Sequence, residues 1–360
     1  MMRLRPLSTY LVLAAGILLW TGVDVAQDNL RLYVGSSRGD DVDVIDMGSL
    51  KVIADIKTGE RVHGVCVEPT GHWLFLTVES DHTLRIVNAA TLKTVAVVKL
   101  SGKPNECAVT PNGKYVVVPI RDGDTVQIVD APERKVVASL PIKEPHNALN
   151  TGSNRYTYVS SMGSDEIDLI DLDRMQFSEH IPVGGRPRPY VVSRDGRTMY
   201  VALANLQGFS IVDLLSKTVV AKVTIPSVHR KLHPWKFETQ DTLTHGLALT
   251  PDGKELWVTS LLDNCAYIYD LRSKSVVGKL PTGIGPNWVV VTPDGKYVCV
   301  SSTDTDTVSI IDAAARHEVA RVKVGEVPKR LALAPAPSSK PKAASTSNKA
   351  SLKRSHGAPS

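Results

Sequence analysis

Residues 292–313, TPDGKYVCVSSTDTDTVSIIDA, recur with variations at 250–271 (TPDGKELWVTSLLDNCAYIYDL), 193–214 (SRDGRTMYVALANLQGFSIVDL) and 110–131 (TPNGKYVVVPIRDGDTVQIVDA). An acidic or amide residue closes one apolar run of each unit, at Asp46, Asn88, Asp130, Asp171, Asp213, Asp270 and Asp312. The spacings are 42, 42, 41, 42, 57 and 42. A second marker, a turn glycine or its equivalent at Gly71, Gly113, Asn154, Gly196, Gly253 and Gly295, keeps the same rhythm with the same interruption. Two markers sharing one period identify a repeat architecture, in which no unit can bury its apolar surface alone.

Within a unit the pattern is that of strands. KYVCVSS and TVSIIDA alternate and are rich in β-formers, HEVARVKV supplies a third run and KRLALAP a fourth. Asp-Gly and Asn-Gly pairs stand where a turn needs positive φ. Four short strands in about 40 residues make a WD40-like propeller blade. The expected fold is all-β, a seven-bladed β-propeller of four-stranded antiparallel blades over residues 28–335. The first unit starts at Leu30 without an inner strand, and the last leaves one over at Lys329–Pro335. That C-terminal strand is expected to complete the N-terminal blade and close the ring, removing open sheet edges.

The chain resembles the YVTN-repeat propellers, through Tyr33-Val34-Gly35-Ser36, Tyr158-Val159-Ser160-Ser161 and Trp257-Val258-Thr259-Ser260. The resemblance implies the fold and leaves the function open, because such rings host many unrelated roles.

The ends of the chain differ from the body. MMRLRPLSTYLVLAAGILLWTGVDVAQ joins a basic start to an apolar run from Tyr10 to Trp20, too short to span a bilayer and suited to a signal peptide over residues 1–27. Cleavage after Ala26 sets Asp24 unfavourably, so an uncleaved anchor is the alternative. The expected location is periplasmic or secreted. Residues 336–360, rich in Ser, Ala, Lys and Pro, read as a disordered basic tail. The net charge of +5 lies in these ends. Setting aside Arg3, Arg5, Asp24 and the five cations of the tail, 35 basic residues face 36 acidic ones. A folded body of that balance gives no case for nucleic-acid binding. Cys66, Cys107, Cys265 and Cys299 form no CxxC pair and read as small buried hydrophobes, a disulfide being permitted by export but not signalled.

Candidate chemistry lies where the units differ. The position leading each inner strand reads His63, Asn105, His146, Arg188, His245, Asn287 and Lys329. Inner strands line a propeller's channel, so these side chains are expected to ring one mouth. The three imidazoles are candidate ligands for a transition metal, and Arg188 and Lys329, with Asn105 and Asn287, are candidate partners for an anion. The 57-residue interval inserts a segment within 225–245, expected beside the same mouth. Its Trp235 and Phe237 are candidates to cover a ligand, and His229 and His233 to coordinate one. The strand-end aspartates are expected to satisfy turn amides rather than catalyse.

No GxSxG, Walker A, GxGxxG, HExxH or CxxCH stands in the chain, so serine hydrolase, nucleotide-binding, zinc-protease and covalent c-haem readings lack support. The expected function is an exported, monomeric binding module that holds a small ligand, cofactor or protein partner at the ringed mouth. The alternative is a periplasmic oxidoreductase or cofactor-handling protein. The ring loosely resembles the cytochrome d1-haem propellers, which implies a haem-type cofactor with His63, His146 and His245 as ligands and Arg188 and Lys329 as carboxylate partners. A lactonase- or lyase-like enzyme would want carboxylates at the mouth, and the seven ring positions offer none.

Overall fold

Alternating apolar residues make each strand two-faced, and short turns fold consecutive strands into antiparallel sheets. The computed structural model describes residues 29–227 and 242–337. Among these it has twenty-eight strands, β1–β28 in chain order, in seven four-stranded sheets. Blade 1 is ordered β28-β1-β2-β3, with β28 at Pro328–Pro335, β1 at Leu30–Ser36, β2 at Asp41–Asp46 and β3 at Lys51–Lys57. The chain's last strand pairs with its first, Leu30 opposite Pro335 and Val34 opposite Leu331, so the expected closure is the one observed. Blades 2 to 7 each take four consecutive strands. They start from β4 (Val62–Val67), β8 (Ala108–Val109), β12 (Pro145–Asn150), β16 (Pro187–Val192), β20 (Thr244–Leu249) and β24 (Pro286–Val291). These six strands and β28 touch in succession around a closed ring.

The core is divided among the junctions between blades. Seven apolar clusters each join residues of two consecutive blades, such as Phe75 and Ile86 with Val116 and Ile120, or Tyr200 and Phe209 with Leu256 and Tyr267. The outermost strands turn every second residue to solvent, as the pattern of Lys135–Pro141 and His317–Lys323 shows. Among the described residues no helix is long and apolar enough to cross a membrane.

The strand-end acids do what their periodicity suggests. Asp46 accepts from the Ser49 amide at 2.8 Å, Asn88 from Thr91 at 2.9 Å, Asp213 from Ser216 at 2.7 Å and Asp270 from Ser273 at 2.6 Å. In blade 4 the left-handed residue is Gly152 (φ 83°) and not Asn154, which occupies the aligned glycine position. Asn154 instead accepts the Asn112 amide of the neighbouring blade at 2.9 Å.

Two of the four cysteines pair, which the sequence did not signal. Cys66 of blade 2 and Cys107 of blade 3 form a disulfide with Cα atoms 6.0 Å apart. Cys265 and Cys299 are buried thiols, both pushed up to about 12, chiefly by burial. The segment expected as a signal peptide, residues 1–27, the tail from 338 and most of the insertion lie outside the described residues.

Because β28 covers apolar faces on both of its sides, a chain ending at Gly325 should lose its cooperative thermal transition in circular dichroism. A chain ending at Pro337 should melt as the full chain does.

Candidate functional site

All seven ring positions are buried: His63, Asn105, His146, Arg188, His245, Asn287 and Lys329. Each is the residue after the first pairing of its inner strand, and at each the register against the next strand shifts by one residue. The shift falls between Val62 and Gly64, Pro145 and Ala148, Pro187 and Tyr190, Thr244 and Leu247, and Pro286 and Val289. In blade 3 the same irregularity separates the isolated Pro104–Ile120 bridge from Ala108. In blade 1 it leaves Lys329 between partners of Gly35 and Ser36. A bulge re-aims the side chain it carries, and here it recurs in every blade at the residue that lines the mouth.

Hydroxyls from the repeat motif hold four of these bulges. Thr77 accepts the Gly64 amide at 2.6 Å and donates to the Asn105 carbonyl at 2.5 Å. Thr259 accepts from Gly246 at 2.7 Å and donates to Asn287 at 3.2 Å, and Ser301 accepts from Trp288 at 3.1 Å and donates to Lys329 at 3.1 Å. Ser160 accepts the Asn147 amide at 2.7 Å. In these four blades the third residue of the quartet thus holds the amide just after the ring residue, and in the first three cases the ring carbonyl of the next blade as well. Gly35, Pro119 and Ala202 stand at that position in the other blades.

The seven ring positions carry no acid, but carboxylates reach the mouth from beside them. Glu79, from the turn above the second strand of blade 2, accepts His63 Nδ1 at 2.7 Å and lies 3.5 Å from Arg121 Nη2. Residues that follow the ring positions also enter the site. Glu106 and Arg330 form a buried ion pair, and the Arg330 guanidinium lies 4.2 Å from the Trp288 ring centroid. Arg330 Nη1 is 3.4 Å from Asn287 Oδ1. A strict two-residue alternation would place Glu106, Trp288 and Arg330 on the far face; the bulge brings them in, and no simple sequence signal marks it.

The three histidines separate into two groups. His146 and His245 meet edge-on with centroids 6.5 Å apart, although one blade stands between theirs, so the channel is narrow. His146 is engaged at both nitrogens, Nδ1 with Asn147 Oδ1 and Nε2 with Arg188 Nη1 at 3.2 Å. His245 Nδ1 donates to the Asn287 carbonyl at 3.0 Å. His63 belongs with Glu79 and Arg121. Among the described residues, His63, His146 and His245 do not form a cluster with all ligand atoms within 4.8 Å of one another, so one ion held by all three would require side-chain movement. Trp235, Phe237, His229 and His233 lie outside the described residues; the chain on either side of them, at Ser227 and Thr242, borders the same face as the ring.

Burial governs protonation here. It pulls His63 down to about 3 against the opposing pull of Glu79, and holds His146 and His245 well below the ordinary imidazole value, with Arg188 and Arg330 adding to the effect. Burial alone would raise Glu79, but the His63 hydrogen bond and the charges of Arg121 and Lys329 bring it to about 2. Lys329 is lowered to about 7, by burial first and Arg330 second. The site near neutral pH therefore combines neutral imidazoles with guanidinium groups and a lysine poised between charged and neutral. Cavities of about 480 and 510 Å³ open on the opposite face, near Thr70 and Trp73 and near Gly152 and Ser193, away from the ring.

Residues 77–238 match the model of the YNCE-like beta-propeller. Antigen Lp49 of Leptospira interrogans serogroup Icterohaemorrhagiae serovar copenhageni (strain Fiocruz L1-130) is 29% identical over 117 residues, covering 31% of this chain. The match spans about a quarter, 24%, of that relative's length. Among solved structures, Kuenenia stuttgartiensis hydrazine synthase superposes with a TM-score of 0.68 at 18% identity, over 80% of this chain and 94% of the other. Dihydro-heme d1 dehydrogenase NirN in complex with DHE superposes at 0.62 and 17% identity, over 86% and 76%. The resemblance to seven-bladed repeat propellers is thereby borne out, and likeness at such identities is one of fold.

Two predictions come from this geometry. Replacing Thr259 by Val keeps the shape but orphans the Gly246 amide and removes a donor to Asn287. It should destabilise the protein by about 1–3 kcal/mol per orphaned group in urea unfolding. The histidines are neutral when folded and titrate near 6.5 when unfolded, so their contribution is full above pH 6.5 and is lost progressively as pH falls below it, for His63 toward about 3. The urea midpoint should drop between pH 6.5 and 4, and drop less in a variant with His63, His146 and His245 all changed to Gln.

Proposed function

We propose that this chain is an exported binding module that holds a small anion, of the carboxylate class, at the ringed mouth of the channel. The observation that carries the reading is Asn105, which is 0% exposed and has neither its Oδ1 nor its Nδ2 partnered. Buried polar groups are nearly always satisfied, and one that is not asks for a missing partner. Arg330, 1% exposed, repeats the signal, because its Nη2 has no hydrogen-bond partner. An amide and a guanidinium both donate N–H groups, and a carboxylate's oxygens can accept from either. Arg188 and Lys329 add positive potential in a low-dielectric mouth, where it acts more strongly than at the surface. The Cys66–Cys107 disulfide and the apolar N-terminal run support an oxidising compartment.

A second reading, a haem-type cofactor at the same mouth, is favoured by the Glu79–His63 pair. A carboxylate on one imidazole nitrogen is the arrangement that orients a metal-ligating histidine. His63 would then present Nε2 to the metal, and Arg188 and Lys329 would take the cofactor's carboxylates. The NirN structure is similar in fold.

Calorimetric titration of the full chain with malonate, and separately with sulfate, tests the first reading. Malonate should bind, and more tightly as pH falls from 8.5 to 6.5, because Lys329 gains its proton on passing about 7. Lys329→Met should remove that pH dependence. Arg188→Gln should weaken binding about tenfold or more, the effect of one charge-assisted hydrogen bond. Absence of heat with malonate at both pH values overturns the reading. An absorbance band of protein from its native host that vanishes in His63→Ala would favour the cofactor instead.

A further inference from the structure

The seven blades place equivalent backbone positions side by side, so each blade is a control for the others. Consider the face formed by the first and third residues of a blade's third strand and the residues opposite them on the outer strand. In blade 1 these are Asp41 and Asp43 on β2, with Lys57 opposite Asp41 and Asp55 opposite Asp43 on β3. Three carboxylates would repel one another, and the protein answers with its own cation. Lys57 Nζ lies 3.2 Å from Asp41, 3.3 Å from Asp55 and 3.4 Å from Asp40, and these acids hold its ammonium charged. Asp43 completes its partners with the Gly325 amide at 2.7 Å.

Blade 4 repeats the acidic arrangement without the cation. Its third strand β14 (Glu166–Asp171) and outer strand β15 (Gln176–Pro182) set Glu166 opposite Pro182 and Asp168 opposite His180. The position of Lys57 is a proline, and the position of Asp55 is a histidine. Glu166, Asp168 and His180 offer ligand atoms all within 4.8 Å of one another, and they are the group of this kind among the described residues. His180 Nδ1 is 2.8 Å from Asp168 Oδ1, with Asp168 buried and His180 60% exposed. Burial raises the Asp168 carboxyl, opposed by His180 and reinforced by Glu166. The charged groups that act on Asp168 are His180 and Glu166. The other blades carry no such set: the corresponding quartets begin with Thr83 and Arg85, Thr125 and Gln127, Gly208 and Ser210, Cys265 and Tyr267, and Thr307 and Ser309.

We propose that Glu166, Asp168 and His180 form a binding site for a divalent transition metal of the zinc class on the flank of blade 4. The donors suit that class, one imidazole nitrogen and two carboxylate oxygens, and three protein ligands leave a further position for water or a second ligand. Two residues apart on one strand and directly opposite on the next is a spacing that puts all three on one sheet face. Imidazole and carboxylate ligands bind a metal only in their deprotonated forms, so protons compete with it for such a site. The site stands apart from the ring and does not depend on what the ring holds.

The test is calorimetric titration of chelator-stripped full chain with Zn2+ alone. Wild type should show a binding event that is lost in His180→Ala, a change at an exposed side chain that leaves the fold intact. The decisive variant is Pro182→Lys, which keeps every ligand but supplies the ammonium that blade 1 has. It too should lose the event, with the melting temperature of the metal-free protein unchanged or raised. Variants with His63, His146 and His245 changed to Gln should keep it. The proposal is overturned if wild type binds no Zn2+, or if binding survives in both His180→Ala and Pro182→Lys.

Discussion

A blade cannot stand alone, and the rest of the structure depends on that constraint. Both faces of each sheet carry apolar side chains, and the seven core clusters all lie between blades. Every blade is therefore stabilised only by having a neighbour on each side, and a row of blades would leave two faces bare. Closing the row into a ring removes them, and pairing the last strand with the first makes the closure part of one sheet. A non-local pairing of this kind is entropically slow to form but ties the two chain ends to the same blade. Once the ring is closed, seven inner strands converge and their leading residues have nowhere to go but the mouth.

The mouth is then a place where polar groups are held against the cost of burial. The bulge turns a side chain inward, and hydroxyls such as Thr77 and Thr259 satisfy the amides and carbonyls that the irregular backbone leaves open. The same burial keeps the imidazoles neutral and pulls Lys329 toward neutrality, while Arg188 and Arg330 sit among them. Desolvation and like charge act together on Lys329, so an anion at the mouth would relieve one of its two penalties.

Much of this was written in the sequence, because a repeat exposes the positions at which it varies. The seven blades, the closing strand, the turn-capping acids and the seven ring residues follow from aligning the units. Glu79 was missed because it comes from a turn and not from an inner strand. Glu106, Trp288 and Arg330 were missed because alternation assigns them the wrong face. The disulfide carries no motif of its own, and its reason is visible only once the blades are in place. Cys66 and Cys107 are 41 residues apart in a stretch whose period is 42, and that offset of one turns them toward each other across one junction. Cys265 and Cys299 belong to different junctions and cannot meet.

Repetition also separates chemistry from scaffold. Where two blades share a backbone and differ in side chains, a difference in charge balance belongs to the side chains alone. The flank of blade 1 gathers acids and brings its own ammonium; the flank of blade 4 gathers acids and an imidazole and brings none. Packing gives no reason for the second arrangement, since the quartets at the same place in blades 3 and 5 hold small or neutral polar groups together with a single lysine or none. An uncompensated pair of carboxylates costs stability wherever it is partly buried. Of the other six quartets, blade 1 neutralises its acids, blade 3 has no charged side chain, and blades 2, 5, 6 and 7 carry only cations, so blade 4 alone gathers carboxylates with no lysine or arginine in the set.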